Sequence, residues 1–527
     1  MCPDHLNQSR QVHARCRRPR CCVTLARAPH TNRIDSSALT TNSETSLLPD
    51  HLSPAPATLV HPPNAVASSA RTGFFGHPRG LLFLCASEGW ERFSYFGMQS
   101  LLVLYMTHYL LKPEHVGQVV GFGVVKGAIE AVTGPLSTAA LASQIFGLYA
   151  GLVYLTPLFG GLIADRWLSR TLTVTVGAVL MALGHFLMAF EATFLLAILL
   201  LLVGVGCFKG NIASQVGQLY AVDDPRRSQA YQIFQLAISF AVIAAPLISG
   251  TLGEKVGWHW GFGAAGVGMI VGLATYLSGR KWLPAAEPRA AATERAAQRL
   301  TPTEWRTVIV LVALLPVIGA TQFGNQQMFN AFLVWGEANF ELTFAGFAMP
   351  VTWLLSADAA IAVACMTLAI LFWRAYGRRR RDPDDVVKVA VGAVFMTLAP
   401  LLLTAASLAQ KATGGKISPG WGLAFEVVNE LGFALVAPMA LSMYSRAAPR
   451  QIQGLMIGVY YTSFFLCNIA VGRVGGLLEQ MDPAVFWMLH AGVVGASAVV
   501  LAAVAVWGRR VLMPTEHTLG THTSTID

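Results

Sequence analysis

The fold class this sequence predicts is all-α: a polytopic membrane protein of twelve transmembrane helices in two halves of six, both termini cytoplasmic. Three observations carry that reading. Of 527 residues, only 12 % are charged and 54 % are hydrophobic, whereas soluble domains carry about 25 % charge. The apolar residues fall in runs of about 20 or more, the length that crosses a bilayer. Lysine and arginine concentrate in alternate loops, as cytoplasmic loops require. The composition, with mean hydropathy +0.53, excludes an intrinsically disordered chain.

Residues 1–78 are polar, rich in Pro, Ser, Thr and Arg, and without periodicity, so they are expected to be a disordered tail. The tail has no apolar stretch of the kind a secretory leader needs. Its CRRPRCC cluster has no second Cys/His pair at ligand spacing, so no metal is expected. Of the eight cysteines, Cys2, Cys16, Cys21 and Cys22 lie in the tail, and Cys85, Cys207, Cys365 and Cys467 lie in apolar runs. Neither group reads as a disulfide framework. The apolar spans are expected at 81–110, 140–165, 169–191, 193–218, 228–252, 260–282, 305–334, 348–374, 386–410, 419–444, 453–478 and 484–510. They divide six and six into an N-terminal bundle (79–282) and a C-terminal bundle (305–513), joined by a polar linker (283–304). A second polar tail follows at 514–527. Residues 111–139 form a long Gly- and Val-rich outer loop.

Loop charge orients the bundle. Loops after even-numbered spans carry Arg166 and Arg170, then Arg226 and Arg227, then six cations from Arg280 to Arg306. Further on they carry Arg374, Arg378 to Arg381 and Lys388, and finally Arg446 and Arg450. Loops after odd-numbered spans carry only Lys112, Lys126, Lys255, Lys411 and Lys416. The even loops are therefore cytoplasmic, and the net charge of +9 serves topology rather than nucleic-acid binding.

A charge near the bilayer centre costs about 2.5–3.5 kcal/mol on insertion scales, so each one that persists marks a candidate site. In span 1, Glu88, Glu91, Arg92, Tyr95 and Gln99 share one stripe roughly 100° wide. An ion pair that only locks helices is the plainer alternative, but it leaves two acids, a base, a phenol and an amide facing inward unexplained. Lys209, mid-span 4, needs a carboxylate partner or must lose its proton, and Glu88 and Glu91 are the expected partners. Such a triad can couple protons to transport, because protonating a glutamate frees a base for an anionic substrate group. Span 10 carries Glu426, Asn429 and Glu430 at helical spacing, with Pro438 further on as a possible kink. Span 8 carries Asp358, and span 7 carries the amides Asn325, Gln326, Gln327 and Asn330. Asp165 and Arg166 in GGLIADRWLSR read as a conformational turn at the cytoplasmic end of span 2. Arg473 is expected to snorkel at the outer end of span 11, and His185 in span 3 to be a packed histidine.

Six plus six helices with a G-x-x-x-D-R loop between spans 2 and 3 resemble the major facilitator superfamily. EGWERFSYFG is similar to the E-x-x-E-R-F-x-Y-Y-G element of the proton-dependent oligopeptide transporters. VYLTPLFGGLIADRWLSR, GVGCFKGNIASQVGQLY, PLISGTLGEKVGWHWGF and APMALSMYSRAAP resemble further elements of that family, over about residues 80–510. The resemblance implies proton-coupled symport of di- and tripeptides by alternating access around a central cavity. It implies Glu88, Glu91 and Lys209 in proton coupling and Arg92 and Lys209 near the peptide carboxylate. Tyr95 and Tyr154 are implied in the cavity wall.

The chain departs from the family pattern at several positions. Phe96 stands for the second tyrosine, Gly210 for the proline of K-P-N, Ser239 for an asparagine in helix 5, and Gly147 for the histidine of animal members. Asn325 or Gln326 stands where helix 7 carries a glutamate, Phe433 where helix 10 carries one, and Asp358 where helix 8 carries asparagine. A peptide amino terminus needs an anionic partner in this half, which Glu430, one turn from Phe433, or Asp358 would supply. The expected partners are therefore small peptides, protons and the lipid bilayer, with no cofactor, no nucleic acid and a monomer as the working assembly, in the plasma (inner) membrane. The alternative is a symporter or exporter of another small anionic or zwitterionic solute: an amino acid derivative, nitrate or a peptide-like antibiotic. A non-transporting sensor on the same scaffold would need an appended ordered domain. No HExxH, confident Ser/His/Asp grouping or phosphate-binding loop argues for an enzyme or for direct ATP drive.

Overall fold

Four of the transmembrane helices begin where a side chain satisfies a free N–H group of the first turn. Ser137 accepts from Ala140 N at 3.2 Å, Ser169 from Leu172 N at 3.3 Å and Asp482 from Ala484 N at 2.9 Å. Thr301 and Glu304 form a reciprocal capping box. The computed structural model describes residues 72–74, 76–220, 224, 226–283, 300–449 and 452–508. The CRRPRCC cluster, most of the 283–304 linker and the C-terminal tail lie outside the described residues.

Twelve membrane-crossing segments follow in order, here numbered as spans. The first half comprises span 1 (Arg79–Tyr105, continued by the π-helical turn Met106–Leu110), span 2 (Thr138–Arg166), span 3 (Arg170–Leu187) and span 4 (Phe194–Gln218). Span 5 (Arg226–Ala245, continued by turns Pro246–Gly250 and Leu252–Val256) and span 6 (Trp258–Gly279) complete it. The second half comprises span 7 (from Pro302–Thr321 to Leu333–Asn339), span 8 (Trp353–Gly377), span 9 (Asp385–Thr413), span 10 (Gly420–Ala447), span 11 (Gln453–Gly475) and span 12 (Pro483–Ala503). Among the described residues eleven stretches are apolar enough to be spans by composition. Span 1 is the twelfth, less apolar because it carries Glu88, Glu91 and Arg92. The twelve-helix, two-half architecture agrees with the sequence expectation.

The differences are local. Residues 72–78, expected in the tail, hold a short hairpin of Thr72–Phe74 on His77–Pro78. The 111–139 loop contains two helices, Pro113–Val116 and Phe122–Thr133. Arg473, expected to snorkel, donates to the Thr133 carbonyl at 3.2 Å and ties the second of these helices to span 11. Span 7 is not one helix. It breaks after Thr321 and again at Asn330 (φ −129°, ψ −105°), where the Asn330 amide bonds Ser143 Oγ at 2.7 Å and Gln327 Oε1 at 2.9 Å. Polar side chains that compete for hydrogen bonds break helices in this way. Span 8 starts later than expected because Thr343–Phe344 and Phe347–Ala348 pair as a hairpin, whose turn residues Ala345 and Gly346 both have positive φ. Pro438 does not interrupt span 10.

The two halves meet firmly at their outer ends. Span 2 packs on span 11, and span 5 on span 8. Gly147 and Gly472 form the first contact: a Cβ on Gly147 would lie 2.5 Å from both the Asn468 carbonyl oxygen and Gly472 Cα. Small residues allow this backbone approach. At the second contact, the Glu254 carboxylate of span 5 accepts from Val351 N (3.0 Å), Thr352 N (3.1 Å) and Thr352 Oγ1 (2.7 Å). It thus caps the N-terminus of span 8 from the opposite half, where a negative charge suits the helix dipole. His108 and Glu337 add a 2.7 Å contact between spans 1 and 7, and Ser137 donates to Glu479 at 2.5 Å. These contacts join the two halves on the outer side.

Candidate substrate and coupling site

The span 1 stripe folds as its spacing predicts. Glu88, Glu91 and Arg92 are buried, and Arg92 Nε lies 3.0 Å from Glu88 Oε1 and 2.6 Å from Glu91 Oε2. One guanidinium therefore faces two carboxylates. Tyr95 stands beside it, with Arg92 Cζ 5.5 Å from the ring centroid. Phe96 packs edge-on against Tyr95 and lies tilted against Phe329 of span 7. Gln99 is buried about two turns further out, its Oε1 without a partner.

Lys209 departs from the expected arrangement. It forms no ion pair with Glu88 or Glu91 among the described residues. Instead its Nζ lies 5.0 Å over the Tyr154 ring, and the charges of Arg92, Glu91 and Glu88 act on it at longer range. Arg92 occupies the near faces of both carboxylates, and the lysine settles on an aromatic face, a favourable cation–π arrangement. Tyr154 in turn stacks on Phe464 of span 11 at 4.9 Å. Tyr149, one and a half turns before Tyr154, was not singled out in the sequence. It is buried, its hydroxyl lacks a partner, and it feels the charges of Glu91 and Arg92.

A second cluster sits in the C-terminal half. Glu430 Oε1 accepts from Asn325 Nδ2 at 2.8 Å and from Asn429 Nδ2 at 3.2 Å. The Asp358 carboxyl of span 8 lies beside Glu430. Glu426, one turn further out on span 10, is fully buried with neither oxygen bonded. It feels the charges of Asp358 and Glu430. Its place one turn from Glu430 is the one that its spacing in the sequence predicts. No group of acids, histidines and cysteines among the described residues could hold a metal ion.

The two clusters are joined by a polar path. The Tyr154 hydroxyl is within hydrogen-bonding range of Gln326, Gln326 Nε2 donates to Asn325 Oδ1 at 3.1 Å, and Asn325 reaches Glu430. Asn468 Nδ2 holds Gln326 Oε1 at 3.1 Å. The span 7 amides thus divide: Asn325 and Gln326 face the site, whereas Gln327 meets His490 at 3.0 Å and Asn330 joins the halves at Ser143. His185 is buried, as expected, with Nδ1 unpartnered. The Asp165 side chain lies outside the described residues. Arg166 sits at the exposed cytoplasmic end of span 2, apart from both clusters. Pro438 lies two turns past Glu430 on span 10.

The chain is similar in sequence and in fold to several known proteins. The POT family model PTR2 matches residues 171–322. The peptide transporter YePEPT of Yersinia enterocolitica subsp. palearctica serotype O:3 is 26 % identical over 502 residues, covering 81 % of this chain and 94 % of its own length. A di-/tripeptide transporter of Lactococcus lactis subsp. cremoris is 29 % identical over 455 residues, covering 74 % and 87 %. The crystal structure of peptide transporter POT in complex with sulfate superposes with a TM-score of 0.72 at 24 % identity, covering 83 % of this chain and 96 % of that one. A mutant peptide transporter POT in complex with alafosfalin gives 0.71 at 25 %, covering 84 % and 97 %.

Proposed function

We propose that this chain, a membrane transporter of the POT family, carries di- and tripeptides into the cell across the plasma (inner) membrane by proton-coupled symport. The observation that carries the reading is the opposition of two buried charge clusters across one polar path. One holds Arg92 and Lys209 beside Glu88 and Glu91. The other holds carboxylates without a base. A zwitterionic peptide matches this polarity, its carboxylate toward Arg92 and Lys209 and its ammonium toward Glu430 and Asp358. The Tyr154–Gln326–Asn325 path lies between them, where peptide N–H and C=O groups need partners.

Coupling follows from the span 1 geometry. While Glu88 and Glu91 are both ionised they hold Arg92. Protonating one of them weakens that hold and frees the guanidinium for the incoming peptide carboxylate. Proton and peptide are then favoured together, the energetic condition for symport. Release toward the cytoplasm completes the cycle. Opening on the outer side requires parting of the Gly147–Gly472 contact and of the Glu254 cap on span 8.

One observation favours a second reading. The amides Asn325 and Gln326 occupy the span 7 position where the family carries an acid, as a site for another small zwitterion or anion would allow. Counterflow separates the two. Liposomes loaded with dialanine should exchange it for labelled dialanine, and nitrate should not compete. No dialanine exchange, with exchange of labelled nitrate in nitrate-loaded liposomes, would replace the peptide reading with the second one.

A further inference from the structure

We propose that Asp358, Glu426 and Glu430 form a receptacle for two positive charges, so that the favoured substrates are peptides with a basic side chain on their first residue. The inference deepens the peptide reading above and rests on it. Three carboxyl groups converge here from spans 8 and 10, and none of them pairs with a base among the described residues. Four cations of this half are engaged at its ends. At the cytoplasmic end Lys388 binds Asp382 at 2.7 Å and Arg446 binds Asp385 at 3.3 Å. On the outer side Lys411 binds Asp482 and Arg473 binds the Thr133 carbonyl. The amides Asn325 and Asn429 satisfy only Glu430 Oε1.

The independent sign of a missing ligand is the set of unmade bonds. Glu426 is 0 % exposed, yet both of its oxygens lack a partner, as do Asp358 Oδ1 and the buried Asn429 Oδ1. Buried acceptors without donors are rare in folded proteins, and a charged donor would satisfy several at once. The peptide ammonium supplies one such donor at Glu430 and Asp358. Glu426 lies one helical turn away, about 6 Å along the axis. A lysine side chain places its second ammonium on a four-carbon stem, at a separation of this order. The α- and ε-ammonium groups of an N-terminal lysine therefore match the two acidic positions, and a neutral side chain leaves Glu426 unsatisfied.

Competition for labelled dialanine counterflow tests this, with Lys-Ala and Ala-Ala as competitors and thermal stabilisation of the purified protein as a separate binding readout. Lys-Ala should compete at concentrations roughly tenfold or more below Ala-Ala, because a site rejects a ligand that leaves its buried polar groups unpaired. Glu426→Gln should bring the ratio toward one, and Asp358→Asn, as a second variant, should reduce it. Equal potency of the two peptides in the wild-type protein, or a ratio unmoved in both variants, overturns the receptacle and leaves peptide transport standing. Stabilisation by neither peptide, with no counterflow, overturns both.

Discussion

Arg92 is the side chain on which the span 1 cluster depends, because both glutamates turn to it. Removing one partner of a buried ion pair costs about 3–5 kcal/mol, so Arg92→Ala should sharply lower the yield of folded protein. Size-exclusion profiles in detergent check this. Glu91→Gln should be milder for folding and severe for coupling. Accumulation driven by an inward proton gradient should fall at least tenfold, read as the ratio of uptake with and without the gradient. Asp358→Asn should weaken peptide uptake; unchanged uptake would remove Asp358 from the site. The spacing of Glu88, Glu91 and Arg92 made their common face legible, since helical period fixes direction. It did not reveal which neighbour would reach the carboxylates, and Lys209 rests on Tyr154 instead. Tyr149 gave no signal, because one tyrosine in an apolar helix reads as core.

At the scale of elements, two of the contacts between the halves can be tested separately. Gly147→Leu should keep the outer ends of spans 2 and 11 apart, since the added atoms meet the Asn468 carbonyl and Gly472. Overpacking of this kind costs about 1–3 kcal/mol. Uptake should fall by at least tenfold while membrane expression persists, as a transport assay normalised to protein reads out. Glu254→Ala removes a cap worth about 1 kcal/mol and should raise the outward-open population several-fold. Spin labels replacing Lys112 and Glu341 should then show a longer distance component. Neither contact was visible in the sequence, because both depend on which helices of opposite halves become neighbours. The number and length of the spans were visible, since bilayer thickness imposes them. The breaks in span 7 were not, because Asn330 breaks the helix through tertiary hydrogen bonds to Ser143.

For the whole molecule, orientation follows from the cations in the loops. A cysteine replacing Lys411 should react with an impermeant maleimide on intact cells, and one replacing Arg378 only after permeabilisation. The reverse pattern would invert the molecule and the direction of transport. The central claim is that the two charge clusters harness a proton gradient to a peptide, and uptake of labelled dialanine into proteoliposomes tests it most directly. Accumulation above the equilibrium level with an inward proton gradient, abolished by a protonophore, is the predicted result. Uptake that is the same with and without the gradient, or none by folded protein, would contradict it.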